Sequence, residues 1–275
     1  MIYHKHTGEV EISGVSDFCL PKIFECGQCF RWDSDENGVY TGVSFKRVVQ
    51  LRSDNGNIYI KCPQEDYDNL WRDYFDIARD YASIRKFLCI DDFMREATDF
   101  GAGLRILKQD KWEALCSFII SQNNNIPRIK KIIEVLCREF GSPVAFDRKE
   151  YSTFPTPEKL ASLNVAALAP LRCGYRAQYI IRTARTIADG QLDLEALAKQ
   201  SPGEAKTALL KLHGVGNKVA DCMLLFGLNM LDAFPRDVWI NRAIDTQYGK
   251  NFDPRIFTPY SGIAQQYIFH YMRNR

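Results

Sequence analysis

Lys218 and Asp237 are the residues whose types and positions could do covalent chemistry together. Lys218 falls in the first turn of a helix read from the spacing of Val219, Met223 and Phe226, where the positive end of the helix dipole disfavours an ammonium. That penalty is ~0.3–1 kcal/mol, less than the ~1.4 kcal/mol that one pKa unit represents. The dipole alone therefore does not neutralise a lysine, and a nucleophilic amine here needs desolvation in a pocket. Cys222, four residues on, lies over the same face and could line that pocket. Asp237 follows Pro235 at the start of the segment Val238–Tyr248. There it would serve as an N-cap, or would orient the amine and stabilise positive charge at a reacting carbon.

The element that must position Lys218 is a short hairpin between two helices, residues 202–227. Ser201–Pro202–Gly203–Glu204 reads as a capping box with proline at the first helical position, and the first helix is expected to run to Leu212. Gly214 and Gly216 then bracket Val215. Glycine at both positions permits backbone conformations closed to other residues, and a hairpin ahead of a helix aims free N–H groups at an anion such as phosphate. An ordinary helix corner would explain the glycines alone equally well.

The rest of the chain bounds what surrounds this hairpin. Its 275 residues, 46% hydrophobic and 25% charged, match a soluble globular protein of one or two domains and exclude a disordered or collagen-like chain. No apolar run approaches the ~20 residues of a bilayer span, and the start MIYHKHTGEVEISG lacks a secretory signal, so a cytoplasmic protein is expected. Nine scattered cysteines, an odd number mostly inside apolar patterns, favour reduced thiols. Cys26 and Cys29 have metal-ligand spacing but no second pair. The net charge of +2 hides an asymmetry: residues 65–99 carry ten acidic groups against five basic, and residues 104–188 carry fourteen basic against seven acidic. Such a basic stretch suits either a polyanion or plain solvent.

Period-two alternation over the first sixty residues predicts an antiparallel meander with strands at Gln28–Asp33, Val39–Phe45, Val48–Ser53 and Asn57–Cys62, the Asp54–Asn55–Gly56 cluster turning a hairpin. Beyond Pro63 the spacing turns helical, as in Tyr67, Leu70, Trp71 and Tyr74, and in Ile129, Ile132, Ile133, Leu136 and Phe140 ending at Gly141. Thr156–Pro157–Glu158 opens another helix, and the second half is expected to be all-helical. The reading is an α+β protein: an N-terminal antiparallel sheet with trailing helices over residues 1–100, packed on a helical body over residues 101–275.

The run LHGVGNKVADC, followed nineteen residues after its lysine by Asp237, resembles the helix-hairpin-helix Gly/Pro-Asp signature of base-excision DNA glycosylases, the lysine marking the bifunctional branch. Four further blocks resemble the 8-oxoguanine DNA glycosylases: GQCFRW at Gly27–Trp32, SQNNNIPRI at Ser121–Ile129, GYRAQY at Gly174–Tyr179 and SGIAQQYIF at Ser261–Phe269. The five blocks stand in the family's order and span nearly the whole chain.

The resemblance implies excision of 8-oxoguanine, preferably opposite cytosine, from double-stranded DNA, with an associated β-elimination lyase step. An enzyme of this kind must evert the target nucleotide and fill the gap it leaves. By resemblance, Asn123 and Tyr175 enter or abut the disrupted stack, and Arg128 and Arg176 contact the widowed cytosine. Asn125 reads from the residues as the cap of the helix at Ile126–Pro127. The carbonyl of Gly27 would accept the hydrogen bond of the lesion's N7–H, Gln265 would bond the Watson–Crick edge, and Phe269 and Cys222 would sandwich the ring. Without the resemblance, Phe269 reads as core packing. Leaving one buried acceptor unpaired costs ~1–3 kcal/mol, so the Gly27 contact alone gives only about 5- to 150-fold discrimination against guanine, and other checkpoints must contribute. The hairpin glycines and Val215 would meet phosphate.

No cofactor is implied for the chemistry. The resemblance implies a structural cation on the main-chain carbonyls of Leu210, Leu212 and Val215, and the lack of any cysteine after Cys222 excludes the iron–sulfur cluster of some relatives. Three positions depart from the pattern: Cys29 where some members have serine, Trp239 where several have a phosphate-contacting histidine, and Met272 where some have aspartate. Shortness at both ends relative to eukaryotic relatives suggests a bacterial or archaeal, nucleoid-associated enzyme, and a monomer is expected. The alternatives are an alkylpurine glycosylase of the 3-methyladenine type, which shares the fold but normally lacks the lysine, and a non-catalytic DNA-binding module.

Overall fold

The computed structural model describes residues 1–4 and 7–275. The N-terminal region forms a six-stranded antiparallel sheet, β1 (Ile2–His4), β2 (Glu9–Ile12), β3 (Trp32–Ser34), β4 (Tyr40–Ser44), β5 (Arg47–Asp54) and β6 (Asn57–Lys61), in the order β1-β2-β6-β5-β4-β3. Alternation sets its inner face. Val10 pairs with Ile60 and Ile60 with Leu51, all fully buried, and the sheet closes over Phe24, Trp32, Tyr67, Trp71, Tyr74 and Phe75. Phe24 stacks on Trp32 at 4.1 Å between ring centroids, a contact worth ~0.5–1.5 kcal/mol beyond its burial.

Three expectations about the strands change. The sheet gains β1 and β2, whose few residues carry too little alternation to be read alone. The segment Gln28–Asp33 is strand only from Trp32, because the buried Gln28 side chain bonds main-chain groups of Ile23, Arg105 and Leu107, leaving the chain irregular there. The second half also contains a hairpin, β7 (Pro143–Phe146) with β8 (Lys149–Ser152). Its turn residues Asp147 and Arg148 both take positive φ, 49° and 63°, the geometry of a tight two-residue turn, without the glycine that usually announces it.

The helical body is built on caps visible in the sequence. Asp110, Asn125, Thr156 and Asp237 each accept a first-turn N–H, and Ser201 with Glu204 makes the full capping box. The first hairpin helix ends at Leu209, a turn short of Leu212, as Leu212 and Val215 close a tight turn (Val215 N to Leu212 O, 3.2 Å). A large apolar core joins helices Lys111–Ser121, Ile126–Phe140, Arg176–Ala188 and Ser261–Asn274. Helices Tyr81–Leu88 and Asp92–Phe100 also bury their apolar faces in this core. No helix among the described residues is long and apolar enough to cross a membrane.

Candidate active site

Helix Asn217–Cys222 starts from Gly216, which is extended and supplies no side-chain cap, so its first-turn N–H groups keep their donors for a ligand. Gly214 has φ +84°, and a Cβ there would stand 2.2 Å from the Tyr179 ring. Only glycine lets the hairpin pack so closely on helix Arg176–Ala188. Gly216 by contrast faces open space and is exposed. The neighbouring His213 meets the Tyr179 ring edge-on at 5.0 Å.

Lys218 is half-buried, and its Nζ lies 5.7 Å from the centre of the Phe118 ring, which itself stacks on Phe226. Asp237 is half-buried, and its Oδ1 accepts from the N–H groups of Trp239 (3.0 Å) and Ile240 (2.9 Å). The cap is thus real, and it employs one carboxylate oxygen. Lys218 and Asp237 line one pocket of about 60 Å³ with Gly27, Cys222, Gln265 and Phe269. Five groups of that wall, Gly27, Phe118, Lys218, Asp237 and Phe269, also line a wider cleft of about 630 Å³. The small pocket is therefore the inner end of a groove.

The pocket's chemistry is uneven in a useful way. Burial pushes the Cys222 thiol up, opposed by the nearby Lys218 side chain, so Cys222 offers a neutral, polarisable face. Gln265 is 4% exposed and its Oε1 has no partner among the described residues, a buried acceptor that needs a donor from elsewhere. Gly27 has φ +82°, and a Cβ on it would stand 3.7 Å from Phe269 Cε1 and 3.3 Å from Ile126 Cδ1. A larger residue would narrow the space between this backbone and the phenyl ring.

The cleft beyond is edged by the asparagine loop. Asn123 is exposed at φ +47°, and its Nδ2 donates to the Tyr175 hydroxyl at 3.3 Å. Arg128 is exposed and donates to the Arg172 carbonyl at 3.2 Å. Arg176, by contrast, is buried. It is 5% exposed, donates to the Gln122 carbonyl (2.9 Å from Nε) and the Asn123 carbonyl (3.1 Å), and lies 4.6 Å from the Tyr175 ring centre. In this structure its donors brace the loop. The sequence reading missed Phe118 and Arg273, which line the groove; Phe118 sits in an apolar helix whose pattern reads as core throughout.

Trp239, one of the three departures, is half-buried in the groove wall, whereas Cys29 belongs to the sheet core and Met272 packs on the helical core. Cys26 and Cys29 are buried thiols raised by burial, and no group of three or more His, Cys, Asp or Glu among the described residues could hold a metal ion.

Residues 12–115 match the model of the 8-oxoguanine DNA glycosylase N-terminal domain, and residues 116–254 match that of the HhH-GPD superfamily of base excision DNA repair proteins. A DNA complex of MBOgg1 is 43% identical, with a TM-score of 0.93 over 97% of this chain and 96% of that one. The Clostridium acetobutylicum 8-oxoguanine glycosylase/lyase, in complex with double-stranded DNA containing cytosine opposite 8-oxoG, is 38% identical, with a TM-score of 0.92 over 97% and 95%. An N-glycosylase/DNA lyase of Saccharomyces cerevisiae is 33% identical over 90% of this chain and 74% of its own length.

Proposed function

Because the chain belongs to the 8-oxoguanine DNA glycosylases of the HhH-GPD base excision repair superfamily, we propose that it everts 8-oxoguanine from duplex DNA, excises it and cleaves the strand at the resulting site. The observation that carries this reading is the meeting of Lys218, Asp237 and the Gly27 backbone in one pocket beneath a groove edged by Asn123.

In the proposed reaction the neutral Lys218 amine attacks C1′ while the electron pair of the glycosidic bond leaves with the base. The free carboxylate oxygen of Asp237 stabilises the oxocarbenium-like charge. The nitrogen loses a proton to the departing base and ring opening gives a Schiff base, whose iminium makes the 2′ proton acidic; transfer of that proton to water lets β-elimination expel the 3′ phosphate. Gly27, Gln265, Cys222 and Phe269 read the base. Asn123 and Tyr175 fill the gap, and Arg128 and Arg176 meet the cytosine of the opposite strand. The hairpin of Gly214, Val215 and Gly216 takes phosphate through the exposed N–H groups of Gly216 and Asn217, since that of Val215 is held by the Leu212 carbonyl. A structural cation on the carbonyls of Leu210, Leu212 and Val215 belongs to the same reading, as does a division into a sheet-bearing unit (1–100) and a helical unit (101–275); two separate apolar cores support two units, with helices Tyr81–Leu88 and Asp92–Phe100 packed into the helical one.

The alkylpurine alternative gives Lys218 no task, and a non-catalytic module gives the buried Gln265 acceptor none. Borohydride trapping on a duplex with 8-oxoguanine opposite cytosine tests the proposal: wild type forms a covalent adduct and Lys218→Gln forms none. Absence of both adduct and released base in wild type would overturn it. A panel of lesions and of all four opposite bases then defines the substrate.

A further inference from the structure

The Gly27 carbonyl sits between two peptide groups that are each held by a buried glutamine. Nε2 of Gln266, 2% exposed on helix Ser261–Asn274, donates to the Cys26 carbonyl at 3.1 Å. Nε2 of Gln109, 9% exposed, donates to the Gln28 carbonyl at 2.7 Å. Between them the Gln28 side chain is anchored to the carbonyls of Ile23 (2.9 Å) and Arg105 (2.7 Å), to the N–H of Leu107 (2.9 Å) and to Cys26 Sγ (3.4 Å). Among the described residues nothing donates to the carbonyl of Gly27 itself.

We propose that Gln266 and Gln109 are positioning residues for lesion recognition: by fixing the carbonyls on either side, they aim the one free carbonyl, that of Gly27, into the pocket. This rests on the reading above that Gly27 accepts the N7–H of 8-oxoguanine. Rotation of the Gly27 peptide is what the two tethers prevent. Gly27 lacks a Cβ and its φ of +82° lies where glycine moves freely, so an untethered loop could turn the carbonyl aside, or rotate to offer guanine's N7 acceptor the neighbouring N–H. Tethering both flanks removes that freedom before the base arrives, so the contact costs little ordering at binding and its loss with guanine is felt in full. Gln266 adds a link from the Phe269 helix, so the ring wall and the reading carbonyl are set by one element.

The test is a double cycle of protein against one substrate atom. Binding is measured on Lys218→Gln proteins, which leave the DNA intact, using duplexes with 8-oxoguanine or its 7-deaza analogue, in which C7–H replaces N7–H, opposite cytosine. With both glutamines present, the analogue is expected to bind about 5- to 150-fold more weakly. With Gln266→Met added, that ratio is expected to shrink by about fivefold or more. Gln266→Met carrying the intact Lys218 should still be trapped by borohydride on a duplex with a preformed abasic site, which has no base to read. A full analogue penalty in Gln266→Met overturns the proposal, as does equal loss of abasic-site trapping, which would mark general damage. If Gln266→Met fails to fold, Gln109→Met is read by the same ratio. No analogue penalty with both glutamines present would instead remove the Gly27 reading and this proposal with it, while leaving trapping on 8-oxoguanine to decide the enzyme itself.

Discussion

Lys206 and Asp221 join the two helices of the hairpin through an ion pair of 2.7 Å, with Asp221 the more buried partner. Burial raises the Asp221 carboxyl and the Lys206 ammonium draws it back. The pair holds the helix that carries Lys218 against the helix before it. Lys206→Met should cost about 1 kcal/mol, modest because the lysine is 34% exposed and screened. Its loss should grow as pH rises through the raised Asp221 titration, since an unpaired buried carboxylate is disfavoured where the unfolded chain ionises freely. Thermal melts across pH, with Lys206→Met/Asp221→Asn closing the cycle, check both statements; additive effects of the two changes would refute the coupling.

Glu113 supplies a second pH dependence. It lies on the helix that carries Phe118, and burial pushes its carboxyl up to about 7, opposed chiefly by Arg31 at 3.5 Å. With the folded value above the unfolded 4.5, the folded state holds the extra proton. Stability from this group is complete below about 4.5 and is lost as pH rises to about 7, by on the order of 3 kcal/mol. Glu113→Gln should remove that slope. An unchanged pH profile of denaturant midpoints in the variant would show that Glu113 is already ionised when folded.

Capping and chemistry at Asp237 are separable. An amide retains an oxygen acceptor for the Trp239 and Ile240 N–H groups, so Asp237→Asn should melt within about 0.5 kcal/mol of wild type, whereas Asp237→Ala should lose about 1 kcal/mol. Both should slow single-turnover excision by about 10²–10³-fold through loss of the charge. Full activity in Asp237→Asn would confine this residue to capping.

The hairpin glycines should behave differently from each other. Alanine at Gly214 would collide with the Tyr179 ring at an already left-handed φ, and should destabilise by about 2 kcal/mol or more. Alanine at Gly216 meets nothing within 4 Å and needs no left-handed backbone, so the melt should be unchanged. A fall in duplex affinity in Gly216→Ala alone would show phosphate approaching this backbone; equal affinity would show that it does not.

The local grammar of this protein was written in its residues: Asn125, Thr156, Ser201 and Asp237 stand where the helices begin, and Asp54–Asn55–Gly56 turns the hairpin between β5 and β6. Caps and turns need only neighbours along the chain, so they survive without a fold. Lys218 and Asp237 were equally legible, because each breaks or exceeds what its local position asks for. What surrounds them was not. Phe118 and Gln266 carry no mark in the sequence, since their partners Lys218 and Cys26 are distant in the chain and an apolar or amide side chain in a helix looks the same whether it packs a core or lines a pocket. Arg176 is a further case: its position in a motif gave no sign that the free protein buries it with its donors on the Gln122 and Asn123 carbonyls. Those carbonyls need a donor once the loop folds over them, and long-range demands of that kind arise only when the chain has closed on itself.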